Sequence, residues 1–229
     1  MVSAVIVAAG KGTRMGPDRD KLLLEIHGRP VVGHTWRTFD RARCVEEVVL
    51  VVRENLRDFF LELAQREQFT KPFRLVPGGA ERQDSVWNGL NALSPAAEIV
   101  AIQDAARPCT PESLISATVE AARATGAAVA AQPVTDTIKM SADGKWVEQT
   151  LDRSRLWAVQ TPQTFRVEVI RRALATVRDR GLAVTDDTAA CELIGQPVQL
   201  VVGHVPNPKI TRPEDLAYVE LLLGSSASR

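Results

Sequence analysis

The chain reads as one α/β domain with a mostly parallel central sheet, helices on both faces and an inserted β-hairpin arm. Three observations carry this. Short apolar, β-branched runs at 3–8, 46–52, 73–76, 98–103 and 127–131 alternate with segments of helix length, the rhythm of a parallel sheet with crossover helices. The rhythm breaks between Gln132 and Thr161, where an Asp143-Gly144 pair lies between two short strand-like segments. A length of 229 residues suits one large core, whereas two halves would each be small. The expected architecture is therefore a single Rossmann-like domain over 1–223, with an arm at 133–155 and a frayed tail at 224–229.

Taken in order, Ala4-Val5-Ile6-Val7-Ala8 is a buried parallel strand. The segment 30–42 starts with proline and places Val31, His34, Thr35 and Thr38 along one side, and 56–66 is amphipathic, so both are expected to be crossover helices. Thr137 to Met140 and Trp146 to Thr150, joined through Ser141-Ala142-Asp143-Gly144, form the hairpin. Its unpaired edges need covering, which points to a second copy of the chain and a homodimer. Helices are expected at 166–180, 186–194 and 213–223, with a strand at 198–203. In open sheets ligands sit beyond the carboxyl ends of the strands, so the loops after 8, 77 and 103 should converge on one cleft.

Composition narrows the function. Lys plus Arg equals Asp plus Glu at 28 each, so no global charge draws the chain to nucleic acid or an anionic membrane, and any anion site must be local. Cys44, Cys109 and Cys191 lack C-x-x-C spacing, which argues against zinc and against disulfides and fits a reducing cytoplasm. No run approaches the ~20 apolar residues of a membrane span, and the N-terminus lacks the features of a secretory signal. His27, His34 and His204 are scattered without a serine–acid constellation. Tyr218 has Leu222 rather than lysine four residues on, so the pair needed for short-chain dehydrogenase chemistry is missing.

The first strand runs into a glycine-broken loop carrying cations. Gly10 and Gly12 let the backbone turn its N–H groups toward an anion, and Arg14 and Lys21 supply countercharge. The dinucleotide fingerprint fails, because it requires glycine at Met15, and the G-x-x-x-x-G-K-[ST] loop fails at the same position. What remains, A-A-G-K-G-T-R-M-G followed by lysine, resembles the nucleotidyltransferases that join a nucleotide to a sugar or polyol phosphate.

Two further loops stand at strand ends. In Gly78-Gly79-Ala80-Glu81-Arg82-Gln83-Asp84-Ser85, backbone N–H groups could read a base edge or a phosphate, or Asp84 and Ser85 could merely cap a helix. In Gln103-Asp104-Ala105-Ala106-Arg107-Pro108, Asp104 could hold Mg²⁺ or a substrate hydroxyl while Arg107 meets a phosphate; the alternative is an internal Asp–Arg pair.

Adding Thr150-Leu151-Asp152-Arg153, the stretch from Leu156-Trp157 to Gln160-Thr161-Pro162-Gln163, and Lys209-Ile210-Thr211-Arg212-Pro213-Glu214-Asp215-Leu216, the chain closely resembles the 2-C-methyl-D-erythritol 4-phosphate cytidylyltransferase family over nearly its whole length. The resemblance implies transfer of CMP from CTP to that polyol phosphate with release of pyrophosphate, using Mg²⁺ or another divalent cation. It implies that Arg14 and Lys21 grip the triphosphate, and that Ala8, Ala9, Gly10, Gly12, Thr13, Gly79, Ser85, Asp104 and Ala105 bind CTP. Arg153 and Lys209 would hold the acceptor's phosphate, with Arg107, Thr137, Thr161 and Thr185 beside them, and the arm would deliver Arg153 into the neighbour's cleft. The family's proline-lysine-glutamine around the catalytic lysine is here Asp20-Lys21-Leu22, which sets a carboxylate beside the ammonium as a competitor for it. The alternatives are a related transferase acting on ribitol 5-phosphate or another polyol phosphate, and a non-catalytic nucleotide-binding module.

Overall fold

The structure is a computed structural model that describes residues 1–10 and 20–226. Seven strands form one sheet: β1 (Val2–Val7), β4 (Glu47–Val52), β5 (Phe73–Pro77), β6 (Ile99–Asp104), β7 (Ala127–Pro133), β10 (Trp157–Arg166) and β11 (Gln199–Val202). Their spatial order is β11-β7-β10-β6-β1-β4-β5. All pairings are parallel except those of β10, which is antiparallel to both β6 and β7. The mostly parallel sheet expected from the sequence is present, and the long antiparallel strand inside it was not foreseen. Its sequence, WAVQTPQTFR, is polar and contains Pro162, which cannot donate to a ladder and argues against a central strand. The structure resolves the conflict with a register irregularity between Val159 and Gln163, so the proline falls where the regular ladder to β7 is interrupted.

Alternation along β1 divides the core. Val2, Ala4 and Ile6 face one layer, built with Trp36 and Phe39 of α1 (Val31–Arg41), Phe60 and Leu63 of α2 (Arg57–Glu67) and Ile115 and Val119 of α4 (Glu112–Thr125). Val5 faces the other layer, with Val86 and Leu90 of α3 (Arg82–Asn91) and Ile170, Leu174 and Val177 of α5 (Val167–Asp179). Each fully buried large side chain contributes roughly 1.5–3 kcal/mol. At Gly89 a Cβ would stand 2.6 Å from Val5 Cγ1, so glycine is what lets α3 lie this close to β1.

Some local expectations change. On α1 the buried set is Val31, Val32, Gly33, Thr35, Trp36 and Phe39, so His34 and Thr38 flank the apolar stripe rather than lie within it. Before α1 a small hairpin pairs β2 (Glu25–Ile26) with β3 (Arg29–Pro30) through His27 and Gly28, both at positive φ (49° and 72°), so His27 is a turn residue. The arm forms as β8 (Lys139–Met140) paired with β9 (Gln149–Thr150), shorter than its apolar pattern suggested. The remaining helices are α6 (Asp187–Glu192) and α7 (Asp215–Ser226), the latter continuing past the expected end at 223.

Candidate active site

The order of strands reverses at β1, which has β4 on one side and β6 on the other, and the cleft opens at the carboxyl ends of these strands. It encloses about 470 Å³. One wall is the end of β1, where Val7, Ala9 and Gly10 line it; a second is the start of α3, with Gly79, Ala80, Glu81, Arg82 and Ser85; the floor carries Asp104, Ala105 and Ala106; Lys21 and Lys209 complete it.

The α3 wall is tightly built. A Cβ on Gly78 would lie 2.3 Å from Ala9 Cβ, and one on Gly79 would lie 2.2 Å from Asp84 Cβ, so both glycines are required by close approach. The Gly79 N–H donates to Ser85 Oγ at 3.0 Å, and Glu81 and Asp84 form a reciprocal capping box. Ser85 is buried. The loop is thus preformed, with the N-terminus of α3 directed at the cleft.

The floor is an ion cluster. Asp104 ends β6, and its Oδ2 accepts from Lys209 Nζ at 2.9 Å and from Arg107 Nε at 3.3 Å. Burial pushes the Asp104 carboxyl up, but the Lys209 ammonium, then Arg82 and Arg107, outweigh it and hold the group below its ordinary value. The segment carrying Lys209 is tied down independently: Ile210 N–H donates to the Ala106 carbonyl, and Lys21 Nζ donates to the Ile210 carbonyl at 2.7 Å. Two lysines from opposite ends of the chain therefore meet around one backbone segment.

A profile of the 2-C-methyl-D-erythritol 4-phosphate cytidylyltransferase family matches residues 2–225. The chain belongs to this family. Among relatives bearing that name, the Pelotomaculum thermopropionicum protein is 45% identical over 229 residues, covering 100% of this chain and 96% of the relative. The Geobacillus kaustophilus protein is 44% identical over 222 residues, covering 97% and 96%. In structure the chain is similar to 4-diphosphocytidyl-2C-methyl-D-erythritol synthase from Anaerococcus prevotii, with a TM-score of 0.86 at 32% identity over 97% of this chain and 96% of that one. It is also similar to the cytidylyltransferase from Thermus thermophilus, with a TM-score of 0.77 at 31% identity over 96% and 98%.

Within this cytidylyltransferase the expected site residues divide into groups. Ala9, Gly10, Lys21, Gly79, Ser85, Asp104, Ala105 and Lys209 line the one cleft. Ala8 lies beneath it, buried, with its N–H donated to the Val51 carbonyl. Gly12, Thr13 and Arg14 lie outside the described residues. Arg107, expected to meet a phosphate, is buried and turned inward: besides Asp104 it donates from Nη1 to the Asn207 carbonyl at 2.6 Å, so the internal pair is the arrangement realised. Thr161 is also inward, its hydroxyl accepting from the Asp104 N–H at 3.1 Å, and it supports the floor from below. Thr137, Arg153 and Thr185 are exposed and do not line the cleft of their own chain; Arg153 Nη1 donates to the Thr135 carbonyl at 2.6 Å.

Asp20 does not stand idle beside Lys21. Its carboxylate pairs with Arg53 and accepts from the Leu22 N–H at 3.1 Å, which pins the turn carrying the lysine. Two contributors escaped the sequence reading. Asn207 is buried and brackets the floor, accepting from Thr110 Oγ1 and donating to Gln160 Oε1 and the Thr161 carbonyl; an asparagine between two prolines was its only signal. Arg82 lines the cleft from the first position of α3, and its place just after the glycine pair could have marked it. Among the described residues no three His, Cys, Asp or Glu side chains are grouped to hold a metal ion. The thiols of Cys109 and Cys191 are pushed up by burial to about 11 and about 12, which suits neither for nucleophilic work at neutral pH.

Proposed function

We propose that this enzyme transfers CMP from CTP to 2-C-methyl-D-erythritol 4-phosphate, giving 4-CDP-2-C-methyl-D-erythritol and pyrophosphate. The observation that carries the reading is the pairing of Lys21 and Lys209 at one cleft whose opposite wall is a preformed glycine loop at a helix N-terminus. A phosphate oxygen of the acceptor attacks the α-phosphorus of CTP; the new P–O bond forms as the bond to the β-phosphate oxygen breaks, and pyrophosphate carries away the electron pair. The protein forms no covalent bond, so its contribution is positioning and neutralisation of two anions pressed together. At ~4 Å and an effective dielectric near 20, each cation–anion contact is worth roughly 4 kcal/mol before desolvation.

In this mechanism Lys21 and Arg14 hold the triphosphate, Lys209 holds the acceptor's phosphate, and the backbone of 79–81 with Ser85 reads the cytosine. A divalent cation fits the donor set as a passenger on the nucleotide: the floor offers the Asp104 carboxylate rather than a protein cage, the usual arrangement for Mg²⁺ at phosphates. When bound it neutralises triphosphate charge. Arg153 completes the site from the neighbouring subunit of a homodimer. Two features support this: Arg153 does not line its own chain's cleft, and the arm presents Met140, Trp146 and Val147 to solvent at 45, 77 and 62% exposure. The balanced charge gives no global pull toward nucleic acid, none of the described helices is long and apolar enough to cross a membrane, and a cytoplasmic location suits an enzyme that draws on CTP.

The deciding experiment incubates the protein with Mg²⁺, each of the four nucleoside triphosphates and each candidate acceptor, following pyrophosphate release. CTP with 2-C-methyl-D-erythritol 4-phosphate should dominate. Faster turnover of ribitol 5-phosphate would move the chain to the related polyol phosphate transferases, and equal rates with all four nucleotides would remove the base-reading role of the α3 loop.

A further inference from the structure

Asp187, the first residue of α6, is fully buried, yet it is an acid. Its Oδ2 accepts from Arg82 Nη2 at 2.7 Å, and its Oδ1 has no hydrogen-bond partner among the described residues. A buried carboxylate is expensive to keep, and a fold needing only packing there would do as well with an apolar side chain. The acid is also held from the sheet. Gln163 of β10 accepts from the Asp187 N–H at 3.0 Å through Oε1 and donates to Asp186 Oδ2 at 2.9 Å through Nε2, fixing the start of α6 at both residues.

Seen from the other side, the Arg82 guanidinium hydrogen-bonds to Asp187 alone among the described residues, while the side chain, 29% exposed, lines the cleft. The next residue of the same turn is stitched to the same segment: Gln83 Oε1 accepts from the Val184 N–H and its Nε2 donates to the Leu182 carbonyl, while Asp84 is held from α5 by Arg178 at 3.3 Å. The 182–187 segment is therefore a splint along the first turn of α3, and among the described residues the Asp187–Arg82 pair is its one salt bridge to a residue lining the cleft.

We propose that Asp187 is a positioning residue for nucleotide binding: it holds the Arg82 guanidinium at the cleft so that the donors left over face the bound CTP. Planar guanidinium donors are useful only when their plane is set, and one carboxylate at hydrogen-bond distance sets it before substrate arrives. The wall that Arg82 shares with Gly79, Glu81 and Ser85 assigns it to the nucleotide rather than to the acceptor.

This rests on the CTP reading above, and the test separates the two. CTP with Mg²⁺ is titrated calorimetrically into wild type, Asp187→Asn, Arg82→Gln and the double variant, and KM for each substrate is measured alongside. Binding by wild type tests the CTP reading; the ratios between variants test the splint. The expected result is a loss of CTP affinity of about tenfold in each single variant, no further loss in the double variant, a raised KM for CTP and an unchanged KM for the acceptor. Variants that melt earlier but bind CTP within twofold of wild type would overturn the proposal, as would a change confined to the acceptor's KM. If Asp187→Asn fails to fold, Arg82→Gln decides alone, and wild-type CTP affinity in that variant rejects the role.

Discussion

Lys209 Nζ stands 2.9 Å from Asp104 Oδ2, joining the end of a central strand to a segment more than a hundred residues later. The contact sets the height of the Lys209 ammonium over the cleft floor and holds the Asp104 carboxyl below its ordinary value against the upward push of burial.

The first consequence concerns pH. Because the folded-state pKa of Asp104 is lowered, the stabilisation it contributes is fully present above its unfolded value near 3.8 and is lost as pH falls through the lower folded value. Thermal melts of wild type and Asp104→Asn should differ at neutral pH and converge in acid. A difference that grows on acidification would contradict this assignment.

Lys21 donates to the Ile210 carbonyl and lines the cleft, so its charge is held in place before substrate binds. Lys21→Ala should lower kcat by about 10²- to 10³-fold, in line with removing one preorganised donor from a developing charge, while the melting temperature changes little. Single-turnover rates beside a thermal melt check both halves of the expectation.

Gly78 tests the wall's geometry. An added Cβ would lie 2.3 Å from Ala9 Cβ, and neither atom can rotate away. Gly78→Ala should destabilise the fold by about 1–3 kcal/mol, read as a lower urea midpoint, and should also raise KM for CTP, since the strain falls on the loop facing the nucleotide.

Exposed Arg153 on the arm leads to a complementation experiment. Arg153→Ala and Lys21→Ala chains, each inactive, should recover roughly a quarter of wild-type activity when unfolded and refolded together, because half the dimers are mixed and each mixed dimer carries one site with both residues intact. Mixed dimers verified by tags but without activity would place Arg153 in its own chain's site.

Much of the site was legible in the sequence because its parts sit at strand ends in short motifs. Ala9 and Gly10 of the opening motif, Gly79 with Ser85, Asp104 with Ala105, and Lys209 all converge on the cleft, since a parallel sheet delivers its carboxyl ends to one edge. What was misplaced shares a different character. Arg107 and Asp104, three residues apart, form the internal pair the sequence left open, but the Asn207 carbonyl that turns the arginine inward lies 100 residues away. β10 was hidden because a polar, proline-containing segment is a central strand only where neighbours on both sides supply the ladder and an irregularity accommodates the proline.

Local pattern by itself determined the α/β class, the β1, β4 and β6 core strands, the hairpin arm and the family, because apolar periodicity and contiguous motifs are properties of neighbouring residues. Tertiary structure alone decided which way each charge faces. Arg82 meets Asp187 across 105 residues, Lys21 meets Ile210 across 189, and the partner of a charged group depends on which chain segments the packed core brings within hydrogen-bond distance.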